Sequence, residues 1–381
     1  MGISINILPV LYDEGTPTKF SPIKDFKERE WLEGNNYWFK EFEKLTGITL
    51  NYSETDTTLL ILYNGQLEPI ITEGNYFKEI KRKIDIGVYK KVILYQNEVN
   101  WDTFERLLDI EDFFYDIFKN DKRFLFVRNI FKSRFNFTKI NSEFTFGCFP
   151  FQILHNFNET NNINWNVEKK HYLFSANCNV KEERLHFYEF LEKGNYWDKC
   201  NVSFFLPLMG IQTKRFVPSE YIGNLGKLDL DIQYLPKKLK YDDELNVKKL
   251  PIKDSLECLF QMIFETRYHS HCGIVLSEKL FKGFMYRTPF IVYGQHGVLK
   301  LLKEKGFKTF DWLIDESYDW EIDDIKRLEM VLKEIDRLLN TPFETIERLI
   351  SQHQQDLVHN RYWAEEFAKT EINKLKEIIT K

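Results

Sequence analysis

Three short, unbroken apolar runs constrain this chain more than anything else in it. Thr58–Tyr63 (TLLILY), Lys91–Tyr95 (KVILY) and Phe124–Val127 (FLFV) are too short for helices and lack a polar alternate face. A strand that is apolar throughout is covered on both sides, as in parallel sheets whose crossovers are helices. Helix-length amphipathic stretches surround them at Lys24–Leu45, Asn75–Ile84 and Trp101–Phe118, and Ser4–Leu11 reads as an opening strand. This alternation predicts an open α/β layer and excludes a sandwich.

The pattern restarts after a polar, Asn-rich stretch, Asn156–Asn166 (NFNETNNINWN), which reads as a linker. Strands are expected at His171–Ser175 and Val202–Leu206, with a helix at Glu182–Lys193 between them. Pro236–Lys253 reads as an exposed connection. Leu256–Thr266, Ser277–Tyr286, Pro289–Tyr293 and Val298–Lys305 then continue as strand and helix in turn. The chain ends in helices. Ile325, Leu328, Val331, Leu332, Ile335 and Leu338 recur at helical spacing, and Thr341-Pro342-Phe343-Glu344 reads as a capping box with Pro in the first turn. A last helix is expected over Tyr362–Ile379, with Tyr362, Trp363 and Phe367 packing it against the body. At roughly 150 residues per domain, 381 residues make two domains. The expected boundaries are 1–165, 166–340 and a helical tail over 341–381.

Composition narrows the class. With 34 Phe and 19 Tyr the chain buries far more apolar area than a disordered protein. A net charge of −5 excludes a broadly basic nucleic-acid coat. Five scattered cysteines with no C-x-x-C pair argue against a disulfide framework or a zinc site, and fit a reducing compartment. The start has no basic n-region, and no run approaches the ~20 apolar residues of a membrane span. A soluble, cytoplasmic protein is expected.

Chemistry is expected in the second half. Glu278-Lys279 at a helix start suits a nucleoside diphosphate: the carboxylate accepts from ribose hydroxyls, while the ammonium and the helix N-terminus face phosphate. The turn Gly294-Gln295-His296-Gly297 lies at a strand's carboxyl end, where open α/β sheets bind ligands. The competing reading is a solvated Glu-Lys pair and a structural glycine turn.

The same residues carry a resemblance. Phe264-Glu265-Thr266, Ser277-Glu278-Lys279-Leu280-Phe281-Lys282-Gly283 and Thr288-Pro289-Phe290-Ile291-Val292-Tyr293-Gly294 resemble the donor-binding segment of α-1,3-fucosyltransferase-like glycosyltransferases, with Ser277 where that family has Thr. Ser175-Ala176-Asn177-Cys178-Asn179, followed by Arg184 and Tyr188, is similar to the family's Ser-Asn-Cys loop and phosphate-binding Arg. Leu299–Phe310 and Asp315–Asp319 resemble uncharacterised microbial and viral relatives of the family. The likeness covers about 172–340.

It implies a GT-B-type α/β fold: two Rossmann-like domains facing a cleft, acceptor domain first, donor domain second, with C-terminal helices crossing back. It implies transfer of a sugar from a nucleoside diphosphate sugar to a glycan hydroxyl, inverting and without a metal cofactor. Arg184 and Lys279 would neutralise the leaving diphosphate. Glu278 would hold the ribose, and Asn177, Glu265, Tyr268, Gly294 and His296 would line the donor site. The general base should be a carboxylate past a strand end in the first domain. Glu98 is the candidate, with Asp13 and Glu14 in reserve.

Other features have bland alternatives. Asp229-Leu230-Asp231 matches a metal-binding D-x-D pattern, yet alternates like a half-exposed strand. His269-Ser270-His271 reads as a polar loop. Asp315, Glu316 and Asp319 are either donor-hydroxyl ligands or an acidic surface turn. Lys122, Arg123, Arg128, Phe131, Lys132, Arg134 and Phe135 could form a strand-binding face if the acceptor were a hydroxylated DNA base. A non-enzymatic glycan- or partner-binding protein is the remaining rival.

Overall fold

The computed structural model describes residues 3–12, 20–22, 38–63, 73–96, 104–128, 139–140, 142–144, 154, 157, 160, 163–177, 182–204, 252–265, 268, 274 and 276–380. The chain divides into two compact units. The first comprises 1–159, 269–278 and 365–381; the second comprises 160–268 and 279–364.

The first unit is built on a seven-stranded sheet of β1 (Ile3–Tyr12), β2 (Phe20–Pro22), β3 (Ile48–Tyr52), β4 (Thr57–Tyr63), β5 (Tyr89–Gln96), β6 (Phe124–Arg128) and β7 (Ser142–Phe144). The order is β2-β1-β4-β5-β6-β7, and β3 also pairs with β1. Every pairing is parallel except β1 with β2. The three apolar runs are thus adjacent inner strands. Leu59, Leu60 and Ile61 are all buried, and so are Val92, Ile93 and Leu94, which is why neither run has a polar face. Helices α1 (Trp38–Thr46), α2 (Gly74–Asp85) and α3 (Phe104–Phe118) belong to this unit. Phe77 of α2 and Phe114 and Phe118 of α3 pack with Phe124 and Phe126 of β6. The rings of Phe118 and Phe124 stack at 4.0 Å.

The second unit carries β8 (His171–Asn177), β9 (Cys200–Phe204), β10 (Cys258–Phe264) and β11 (Phe290–Tyr293), all parallel, in the order β11-β10-β8-β9. Its helices are α4 (Glu182–Gly194), α5 (Ile252–Leu256), α6 (Glu278–Met285), α7 (Val298–Glu304), α8 (Asp324–Leu339) and α9 (Phe343–Gln352). The last helix, α10 (Gln354–Thr380), belongs to the second unit through Ala364 and to the first from Glu365. In the first unit its end is tied down by Lys91, which donates to Ile378 O at 2.5 Å, and by Lys376, which donates to Thr46 O at 2.8 Å. The α/β class and the C-terminal helices are therefore present. No helix among the described residues is long and apolar enough to cross a membrane.

Several local expectations change. Strand β3 was not foreseen, because ITLNY carries polar residues at its exposed positions. Strand β9 begins two residues before the expected Val202. The Asn-rich stretch is not simply a polar connection: Phe157 and Thr160 are buried. Thr341 does not open α9. Its hydroxyl donates to Arg337 O at 2.8 Å, closing α8 instead, and no side-chain cap bonds the start of α9. Tyr362 faces solvent, whereas Trp363 donates to Lys305 O at 2.6 Å and Phe367 is buried. Gly306, at φ +89°, leaves the room Trp363 needs, because a Cβ there would meet the indole at 2.9 Å.

The Phe cluster carries a stability prediction. Phe114→Ala removes a fully buried ring in contact with Phe77, Phe113, Phe124 and Phe126. It should cost about 3–5 kcal/mol in denaturant unfolding of the first unit, as buried aromatic truncations do. A loss below about 1 kcal/mol would mean the cluster is not a packed core.

Candidate functional site

In a parallel sheet, helices that follow strands begin at the carboxyl edge, so that edge collects helix N-termini and the loops before them. In the second unit this edge holds Asn177 at the end of β8, Arg184 in the first turn of α4, Glu265 just past β10, Lys279 at the start of α6 and Gly294 just past β11. Tyr268 and His296 lie in the adjoining loops. The topology thus places seven of the nominated residues on one edge. Glu278 opens α6, and its side chain is outside the described set, as are Glu98, Asp13, Glu14, Asp229, Asp231, His269 and His271 altogether.

Asn177 is 2% exposed. Its Nδ2 donates to Ser175 Oγ at 3.2 Å, and that hydroxyl donates to Met262 O at 2.9 Å, linking β8 to β10. Its Oδ1 is buried with no hydrogen-bond donor among the described residues. Arg184 is also buried, and its Nε lies 3.9 Å from the buried carboxylate of its neighbour Glu183. Sequence reasoning missed Glu183, which places a negative charge beside the nominated phosphate ligand. Lys279 is half-buried. Glu265 is buried, and its N–H donates to Tyr293 O at 3.0 Å. Gly294 matters for close approach, because a Cβ there would lie 3.2 Å from Val298 Cγ2 and 3.4 Å from Glu265 Cγ.

Two residues organise this edge. Arg327 of α8 is 1% exposed. Its Nε donates to Gly294 O at 3.1 Å, one Nη to Glu321 O at 2.8 Å and Ile322 O at 3.3 Å, and the other to Tyr268 O at 2.7 Å and Asp324 Oδ1 at 2.6 Å. The guanidinium thereby fixes the loops after β10 and β11 and the start of α8. It also lies 5.4 Å from the Tyr293 ring, which packs on Tyr268 with centroids 5.1 Å apart. Burial pushes the Tyr293 phenol well up, and its OH donates to Asp324 O at 3.0 Å. The sequence carried a signal for Arg327: it falls at i−4 from Val331 and i−8 from Ile335, on the buried stripe. Reading Ile325 as part of that stripe obscured it, and Ile325 is 71% exposed.

Asp319 is the second organiser. Its carboxylate accepts from Leu299 N and Lys300 N, both at 3.0 Å, and its carbonyl accepts from Gly297 N at 2.9 Å. Val298 N donates to Gln295 O at 3.3 Å. The amides at the start of α7 are therefore already satisfied by the protein's own groups. Burial pushes the Asp319 carboxyl up, against the opposing pull of the two amide bonds and of the neighbouring His296 and Arg327. The acidic turn is thus structural. Glu316 accepts from Phe310 N at 2.8 Å and Thr309 Oγ1 at 2.9 Å, and Asp315 accepts from Ser317 N at 3.0 Å.

Of the basic residues considered for a strand-binding face, Arg123 is occupied by Asp121 at 2.7 Å and Asp85 at 3.2 Å. Lys122 is exposed. The side chain of Arg128, and residues 131–135, lie outside the described set.

No protein-family model matches this sequence, and no curated protein matches it. Among solved structures, the chain is similar to the DNA modifying enzyme beta-glucosyltransferase, studied with and without uridine diphosphoglucose. Identity is 9% over 97% of this chain and 100% of that one, with TM-score 0.41. A T4 phage BGT mutant in complex with UDP-glucose gives 8% identity over 99% of each chain and TM-score 0.38. An alpha1,3-fucosyltransferase with GDP gives 12% identity over 93% of this chain and 91% of that one, with TM-score 0.31.

Asp319→Ala frees two first-turn amides and should cost about 1–2 kcal/mol, the usual loss for an N-terminal cap. Because its carboxyl is raised on folding, the native state holds the proton more tightly than the unfolded chain. Stability contributed by Asp319 should therefore fall as pH rises from the unfolded value of about 3.9 through the raised native one. Comparing unfolding of wild type and Asp319→Asn across that window checks the sign. A wild-type advantage that grows with pH would contradict it.

Proposed function

We propose that this chain is a glycosyltransferase of GT-B type that takes its sugar from a nucleoside diphosphate sugar bound at the carboxyl edge of the second sheet. The observation that carries the reading is the electrostatic division of that edge. The start of α7 is closed by Asp319, while Lys279 stands at the start of α6 and Arg184 in the first turn of α4. A diphosphate placed there meets the ammonium and the positive end of α6, an eight-residue helix. Tyr268, half-buried against Tyr293, supplies an aromatic surface beside it. The buried Oδ1 of Asn177 supplies an acceptor for a hydroxyl of the donor.

In the proposed reaction an acceptor hydroxyl oxygen bonds to the anomeric carbon as the bond from that carbon to the phosphate oxygen breaks. The hydroxyl proton passes to a general base, and the nucleoside diphosphate leaves. Charge grows on the leaving oxygen only as the bond breaks, so Lys279 and Arg184 would stabilise the transition state more than the ground state. Glu183 stands beside Arg184 and offsets part of its charge. Glu98 is the proposed base, on its position after β5 alone. A glycan hydroxyl as acceptor, inversion, fucosyltransferase-like specificity and independence from a metal ion all belong to the same reading.

A thermal-denaturation series with UDP, GDP, CDP and ADP tests it. One of these at 100 times its Kd should add about 2.7 kcal/mol of stability. Lys279→Ala, on a half-buried side chain, should keep its fold and lose most of that increment. Turnover should fall further than nucleotide affinity, because the charge matters most as the diphosphate departs. No response to any of the four, or full activity in folded Lys279→Ala, would sink the reading.

A further inference from the structure

The end of α6 holds a residue that seldom sits where it does. Arg287 has φ +51°, the left-handed region usually left to Gly or Asn, and its N–H closes the helix on Phe284 O at 3.2 Å. Its side chain lies over Trp165, with the guanidinium carbon 4.3 Å from a ring centroid of the indole. Arg361 of α10 approaches the same indole at 4.8 Å. All three residues belong to the second unit.

The two arginines are not equivalent. Arg361 donates to Met285 O and to the buried Thr160 Oγ1, both at 3.0 Å. Arg287 has a buried Nε with no hydrogen-bond acceptor and enters no ion pair among the described residues. That Nε has lost water without an acceptor in return, and partial burial of the group lowers its pKa. A buried N–H with no acceptor is costly, and a second cation on the same indole adds repulsion. Native proteins keep few such groups, and a bound ion is one of the standard reasons for keeping them.

We propose that Arg287, Arg361 and Trp165 form a phosphate-binding site on the second unit. The indole holds the Arg287 guanidinium by its face, leaving the in-plane N–H groups to bond oxygens. That planar fork matches two oxygens of a phosphate. Arg287, which enters no ion pair among the described residues, has its positive charge open to a phosphate, and Arg361 brings a second cation to the same indole. Arg287 directly precedes Thr288-Pro289 and β11, so the site lies at the amino edge of the sheet. It is therefore separate from the edge that carries Lys279, and it does not depend on the glycosyltransferase reading.

The test titrates the full-length protein with inorganic phosphate at constant ionic strength and follows the melting temperature. Wild type should rise saturably, and Arg287→Met should show an apparent Kd about tenfold weaker or more, the loss of one charge-assisted bond. Arg287→Lys keeps the charge without the planar fork and should recover only part of the response. Repeating the comparison in the Lys279→Ala background removes phosphate bound at the opposite edge, and the dependence on Arg287 should persist.

A short single-stranded oligodeoxynucleotide, titrated against the same variants by fluorescence anisotropy, separates the sources. A response dependent on Arg287 with inorganic phosphate alone supports the site as one for a free phosphate. Dependence with the oligonucleotide, alone or as well, supports it as one for a nucleic-acid phosphate. Equal responses of wild type and Arg287→Met to both probes would overturn the site.

Discussion

The second unit depends on one buried guanidinium. Removing Arg327 from water costs several kcal/mol unless its donors are met, and here all three nitrogens find acceptors. Four acceptors are main-chain carbonyls, from Gly294, Tyr268, Glu321 and Ile322, and the fifth is the Asp324 carboxylate. Loops at the end of a parallel sheet have no strand ladder to satisfy them, so a side chain with a rigid fan of donors does that work. A lysine could not, having a single donor nitrogen at the end of a flexible stem. The carboxyl edge is consequently a preformed surface, and the Tyr268 ring keeps its place against Tyr293.

Charge on that edge is divided rather than summed. Helix N-termini attract anions, and this sheet offers several of them. One, at α7, is filled by Asp319, whose burial works against its own ionisation. Another, at α4, has Arg184 and Glu183 side by side. The start of α6 retains Lys279. In the proposed reading the diphosphate sits at the start of α6, beside Lys279.

Much of the layer architecture was legible in the sequence, because buried parallel strands leave unbroken apolar runs. TLLILY, KVILY and FLFV became β4, β5 and β6 almost to the residue. Strand β3 escaped notice because ITLNY alternates and is short. The Gly294 turn and the Glu278-Lys279 helix start were also legible, since both follow from strand-to-helix connections. The roles of Arg327, Asp319 and Glu183 were not, although the helical spacing did place Arg327 on the buried stripe. Their roles come from main-chain groups and neighbours that the fold assembles, and a charged residue among Asp323, Asp324 and Lys326 reads as a solvated face. Thr341 shows the same limit, because its spacing fits a cap for α9 while its hydroxyl serves Arg337.

A crystal structure of the full-length protein with a bound nucleoside diphosphate tests the division of charge most directly. The expected result is a diphosphate at the amino end of α6, within hydrogen-bonding reach of Lys279, with Asp319 still bonded to Leu299 and Lys300. A diphosphate seated on α7 in place of Asp319, or bound away from the carboxyl edge of the second sheet, would contradict it.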